Sequence, residues 1–319
     1  MKQEPFERAH REEWAAFAAR VAGGRDRAEA GAPPLPTAYR RICQHLALAR
    51  DRHYSAGLIQ QLNGLALAGH RILYGSHLDL APRWGAFLAG GLPRGVRALA
   101  RPVLLATLLF VLPASVLPLA MAHDPSVVHL FEEPANLARL EQMYQKQGGR
   151  FGRLDQSGTD VAMFGFYIWN NVRVSFQAFA GGLLCGLGSA FYLLVNGCHL
   201  GTAAGYLTEA GLGPQFWPFV ATHSALELTA LVLAGGAGLH LGWALLAPGR
   251  RTRATALLEA ARQGLPLVYG AALMDVLAAG IEAFWSASAR VPPGLKLGAA
   301  AVLWPAVLAY LALAGRDRG

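Results

Sequence analysis

PVLLATLLFVLPASVLPLAMA, residues 102–122, is a run of 21 residues without a charged side chain. At about 1.5 Å of rise per residue, a helix of that length crosses the ~30 Å hydrocarbon core of a bilayer. The run reads as a membrane span, and its Pro113 and Pro118 predict a kink. Further long apolar runs follow it. With 54% apolar and 15% charged residues and a mean hydropathy of +0.31, the chain is too apolar for a soluble domain of its length. We read an all-α, polytopic membrane protein.

Residues 1–101 differ from the rest. They carry fifteen Lys or Arg and eight Asp or Glu. The start, MKQEPFERAHREEW, lacks the apolar core of a signal peptide, so the front is expected in the cytosol. Phe6, Trp14, Phe17 and Val21 share one helical stripe; Tyr39, Ile42, Leu46 and Ala49 form another, continued by Leu58, Leu62, Leu65 and Ile72. This pattern predicts amphipathic helices rather than a catalytic domain. Residues 84–101 place Trp84, Phe87 and Leu88 beside Arg94, Arg97 and Arg101, as in a segment lying among lipid headgroups. The expected division is therefore a cytosolic and interfacial region over 1–101 and an integral membrane domain over 102–315.

Between residues 123 and 160 six acids face four bases, which fits the periplasmic side under the positive-inside rule. NLARLEQMYQKQ within it predicts a short helix. Later spans are expected over 172–195, through the Gly-rich segment from Asn196, over 216–246, 265–285 and 295–314. The basic GRRTR cluster, residues 249–253, favours six crossings; five remain if the Gly-rich segment is re-entrant. Gly182, Gly186, Gly197, Gly201, Gly205, Gly238 and Gly242 form small-residue stripes that pack spans within one chain or across a homodimer.

Cys43, Cys185 and Cys198 are odd in number and lack metal-type spacing, so no disulfide framework is expected. The net charge of +8 is assigned to lipid headgroups and the positive-inside rule rather than to nucleic acid. No Walker loop or nucleophile elbow is present, no catalytic residue stands out, and neither a cofactor nor a metal is expected.

THSALEL, residues 222–228, sets a histidine and a glutamate four residues apart in an apolar helix, and Asp275 and Glu282 share a face two turns apart on the next span. Ionisable side chains at the bilayer centre cost ~2.5–3.5 kcal/mol on insertion scales, so His223, Glu227, Asp275 and Glu282 must look into the protein. Three readings follow. In a structural network, His223 donates to Glu227 or Glu282 and clips two spans together, while Asn170, Asn171 and Asn196 satisfy helix ends. Alternatively, the acids line a proton or ion path. As a third reading, His223, Glu227 and a distant Glu supply ligands to an intramembrane metal-dependent hydrolase, although the spacing is not the His-Glu-x-x-His pattern.

WNNVRVSFQAFAGGLLCGLGSAFYLLVNGCHLG, THSALELTALVLAGGAGLHLG and AAGIEAFWS together resemble the membrane domain of the stage II sporulation protein M family. YRRICQHLALAR and LNGLALAGHRILYG resemble the N-terminal extension of its longer relatives outside spore formers. Ser224 departs from the Gly usual after the histidine. The resemblance implies an integral protein of the bacterial inner membrane whose partners are lipids and other envelope membrane proteins. For the namesake it implies a scaffold that recruits peptidoglycan-degrading proteins. We therefore expect a scaffold without enzymatic activity, with a transporter as the alternative.

Overall fold

The computed structural model describes residues 2–22, 26, 32–74, 80–145, 151–153 and 158–316, all helix, turn or coil apart from one isolated bridge residue. The chain divides into two compact units, Met1–Ala81 and Pro82–Gly319. That division falls before the boundary expected after Arg101, because residues 83–98 pack with the second unit.

Unit 1 holds α1 (Gln3–Val21), α2 (Leu35–Asp51) and α3 (Ala56–Tyr74). Their apolar stripes meet one another. Phe6, Trp14, Phe17, Val21, Ile42, Leu46, Ala49, Leu58 and Leu62 form one buried core, with Tyr39, Leu65 and Ile72 against it. Gly69 sits under Phe17 and Tyr39, where a Cβ would come within 2.7 Å of the Phe17 ring. At one end of the core Trp14 Nε1 donates to His45 Nδ1 at 3.1 Å.

Unit 2 continues from α4 (Leu80–Ala86) through a π-turn, Phe87–Gly91, into α5 (Leu92–Ala98). Six long helices follow: α6 (Ala100–His123), α8 (Asp160–Ala180), α9 (Leu187–Glu209), α10 (Gly213–Leu246), α11 (Arg253–Gly280) and α12 (Pro293–Leu313). A shorter α7 (Pro134–Tyr144) lies in the loop after α6, and a π-helical turn, Ile281–Ser286, extends α11. Four of these helices, α6, α10, α11 with its π-turn, and α12, are long and apolar enough to cross a membrane.

Unit 2 is built inside out relative to a soluble domain. Leu104, Leu105, Leu108, Leu112 and Leu119 of α6 point outward, while Asn171, Thr222, His223, Asp275, Glu282 and Lys296 are buried. Apolar surface of that extent suits lipid, not water. At the centre stands α10, which touches α6, α8, α9, α11 and α12. Its apolar residues run around the whole helix, as befits a helix enclosed on all sides. Its 34 residues span about 51 Å, more than the hydrocarbon thickness alone requires.

The expected span over 172–195 does not exist as one helix. α8 stops at Ala180, and the chain reverses through Gly181–Leu183 and a left-handed pair, Cys185 (φ 55°) and Gly186 (φ 84°), before α9 begins. Asn170, Asn171 and Asn196 then lie within helices and do not serve their ends. Asn170 Nδ2 donates to Asn171 Oδ1 at 3.2 Å, and Asn196 Nδ2 to the Tyr192 carbonyl at 2.7 Å.

Glycines set the closest approaches. Side chains at Gly182 or Gly238 would strike each other's helix, and one at Gly242 would strike the Cys185–Gly186 reversal. Gly197, Gly201 and Gly205 of α9 lie along α6 against Phe110, Pro113, Ala114, Pro118 and Met121. All seven singled-out glycines have neighbours within this chain, so the glycine argument for a homodimer falls away. At the end of α12 Arg97 Nη1 donates to the carbonyls of Leu311, Ala312 and Ala314 at 3.2, 3.3 and 2.9 Å. That supplies donors a helix C-terminus otherwise lacks.

Candidate functional site

The i, i+4 spacing on α10 brings His223 Nε2 to 3.7 Å from Glu227 Oε2. α11 passes beside them and changes to π geometry over Ile281–Ser286, which turns Glu282 and Ser286 inward together. Single π-turns recur where a helix must re-aim a side chain at a site. One ligand atom each from His223, Glu227 and Glu282 lies within 4.8 Å of the others. On its other side the imidazole is fixed, with Nδ1 3.1 Å from Ser286 Oγ.

α8 closes the cluster from the third direction. Asn171 lies against Glu282 and Ser175 against Asp275, while Tyr167 lies in the field of Glu282 and Glu227. Their polar atoms are poorly matched. Tyr167 Oη, Asn171 Nδ2 and both Asp275 oxygens are buried without a well-formed hydrogen bond among the described residues. Asp275 is only 1% exposed, whereas the Glu227 side chain keeps 29% exposure, so Glu227 has open space beside it. In a native interior a buried polar group without a partner is the exception and calls for a reason.

A roof covers this end. Phe151 N donates to the Ala287 carbonyl at 2.9 Å and Gly152 N to Met143 O at 2.9 Å, fixing the loop. Gly152, at φ 75°, meets the Phe219 ring so closely that no Cβ fits. Tyr144 packs on Phe219 (centroids 5.7 Å) and Phe219 on His223 (5.1 Å). Burial, with the Glu282 carboxylate nearby, pushes the Tyr144 phenol above its ordinary pKa, so it stays a neutral hydroxyl.

Beside the cluster lies a group that sequence reasoning missed. Lys296, 2% exposed, donates from Nζ to the carbonyls of Ser286 and Ser288 at 2.7 and 2.9 Å. Thr222 Oγ1 donates to the Lys296 carbonyl at 2.9 Å, and Trp304 Nε1 to the Ala221 carbonyl at 3.2 Å. These bonds tie α10, the π-turn and α12 together. The signal was a lone lysine at the start of an apolar run. His199 lies exposed, 3.4 Å from Glu132.

Residues 83–287, well over half of the chain, match the stage II sporulation protein M family. The chain belongs to that family. Its match contains Tyr167, Asn171, His223, Glu227, Asp275 and Glu282 and ends before α12, so the acid cluster lies within the family domain and Lys296 beyond it. Residues 4–75 match a separate domain of unknown function, DUF8413, which coincides with unit 1. No curated protein and no solved structure matches the chain.

Proposed function

We propose that this membrane protein is an anchored adaptor, a scaffold that gathers other envelope membrane proteins and has no enzymatic activity of its own. The observation that carries the reading is its modular build. A helical unit with its own aromatic core, matched by one family, is joined on one chain to a membrane body matched by another. A unit with its own core can offer a recruiting surface while the body fixes the chain in lipid. The scaffold role that the resemblance implies for the namesake of the family, stage II sporulation protein M, supports the same reading.

The topology we assign has α6, α8, α9, α10, α11 and α12 each crossing the bacterial inner membrane, with the N-terminus and GRRTR cytoplasmic and the 124–159 loop periplasmic. The distribution of basic residues supports it. A cysteine at Arg251 should react with impermeant probes only from the cytoplasmic side.

The adaptor reading is tested by affinity capture of the intact chain from native membranes. Charge reversal on the exposed face of α1, Arg8→Glu with Arg11→Glu, should release co-purifying membrane proteins while the variant still inserts. An unchanged set of partners would remove the reading. A transporter would instead show cation or proton flux in vesicles containing the purified chain alone.

A further inference from the structure

We propose that His223, Glu227 and Glu282 bind a divalent metal ion of the Zn²⁺ or Mn²⁺ class inside the membrane body, a site that goes beyond the adaptor reading and does not depend on it. The three donors come from α10 and the π-turn of α11 and converge within 4.8 Å. An ion about 2.1 Å from each of four tetrahedral donors needs them ~3.4 Å apart. The His223–Glu227 pair, at 3.7 Å, is close to that spacing.

The imidazole is oriented as a ligand. With Nδ1 held by Ser286 Oγ, Nε2 faces the carboxylates, and an outer hydrogen bond of this kind commonly fixes the ring of a metal-bound histidine. Two carboxylates and a neutral imidazole carry two negative charges, which one divalent ion balances. Two cations at this end are engaged elsewhere: Lys296 holds two carbonyls, and Arg153 pairs with Asp160. A donor set of nitrogen and oxygen without sulfur suits Zn²⁺ or Mn²⁺ rather than the softer metals.

A second observation points to a ligand. Asn171, 4% exposed, lies against Glu282, and Tyr167, 6% exposed, presents an Oη with no hydrogen-bond partner among the described residues in the field of the same carboxylates. They are placed to bond carboxylate oxygens left over from the metal, or a water on it.

The other His/Glu trio among the described residues, His10, Glu13 and His45 of unit 1, makes a useful contrast. There Trp14 Nε1 donates to His45 Nδ1, which puts the proton of the neutral ring on Nε2, and Glu13 already faces His10 and Arg41 at 3.6 and 3.5 Å. Those donors are occupied by one another. In the membrane body, among the described residues, neither Glu227 nor Glu282 pairs with an Arg or Lys.

The test uses the intact, tag-free chain in detergent, stripped with a chelator and then equilibrated with Zn²⁺ or Mn²⁺ alone. Elemental analysis should find close to one ion per chain in the wild type. Glu227→Gln with Glu282→Gln should retain less than a tenth of it while eluting as a folded species. No bound ion in the wild type, or undiminished metal in a folded double variant, overturns the site. If the variant fails to fold, X-ray absorption of the Zn²⁺-loaded wild type decides. One imidazole among oxygen donors supports the assignment; two imidazoles or any sulfur places the ion elsewhere and overturns it.

Discussion

At Thr222 and His223, α10 meets polar groups that are nearly all paired; one turn later, at Glu227, it borders a cluster that is only partly paired. The first region is a clamp. Lys296 Nζ, the Lys296 carbonyl and the carbonyls of Ser286 and Ser288 have partners at 2.7–2.9 Å, and the bonds join three different elements. The second is a cluster in which Tyr167, Asn171 and Asp275 keep buried atoms without a well-formed hydrogen bond among the described residues. A satisfied polar network in a low-dielectric interior rigidifies a fold, whereas a half-satisfied one costs stability and is retained for another reason. His223 belongs to both, with one nitrogen on Ser286 and the other toward Glu227.

The largest effect should come from the clamp. Lys296→Met strands two buried carbonyls, and each unpaired acceptor costs about 1–3 kcal/mol. We expect a loss of several kcal/mol, read as poor recovery of folded protein and a much lower melting temperature in detergent. Recovery equal to wild type would mean that the clamp holds nothing. Thr222→Val, nearly the same shape, removes one donor and should cost about 1 kcal/mol, visible as a smaller drop in the same melt. Asp275→Asn is the counterpart in the cluster. It removes a charge without breaking a well-formed bond, so stability should stay within about 1 kcal/mol of wild type. A fall as deep as that of Lys296→Met would show that Asp275 is structural after all.

Unit 1 gives a smaller, pH-dependent version of the same contrast. Burial, then the neighbouring His10, holds His45 below its ordinary pKa; Glu13 opposes this and Arg41 adds to it. The ring is therefore neutral in the folded state, and the unfolded chain takes up the proton first. Stability from His45 is complete above its unfolded value of about 6.5 and is lost as pH falls below it. Protection factors of the α1 and α2 amides in the intact protein, corrected for intrinsic exchange, should fall as pH is lowered from 7 to 5.5. Exchange that does not depend on pH beyond the intrinsic chemistry would rule this out.

How far the sequence reached varies by element. The apolar runs of α6, α10, α11 and α12 were legible because length and hydropathy are local properties. The reversal after α8 was not, because it lies in GGLLCG, a turn with no Pro, Asn or Asp to mark it. That one miss moved Asn171 from the end of an expected helix to the middle of a real one, where it faces Glu282. His223, Glu227 and Glu282 stood out as ionisable residues in apolar helices, and the structure brings them together. Tyr167, Lys296 and the roof of Tyr144 and Phe151 reach the site only through tertiary packing, which no local pattern encodes.

The central claim is that the clamp holds the fold and the cluster does not. The most direct test is the melting temperature of Glu227→Gln with Glu282→Gln, measured metal-free beside Lys296→Met in the same detergent. The account predicts that the double glutamine variant melts at or above the metal-free wild type, because it removes two carboxylates crowded within 4.8 Å of each other, while Lys296→Met melts well below both. A double variant that falls as far as Lys296→Met would contradict it and make the acids part of the framework.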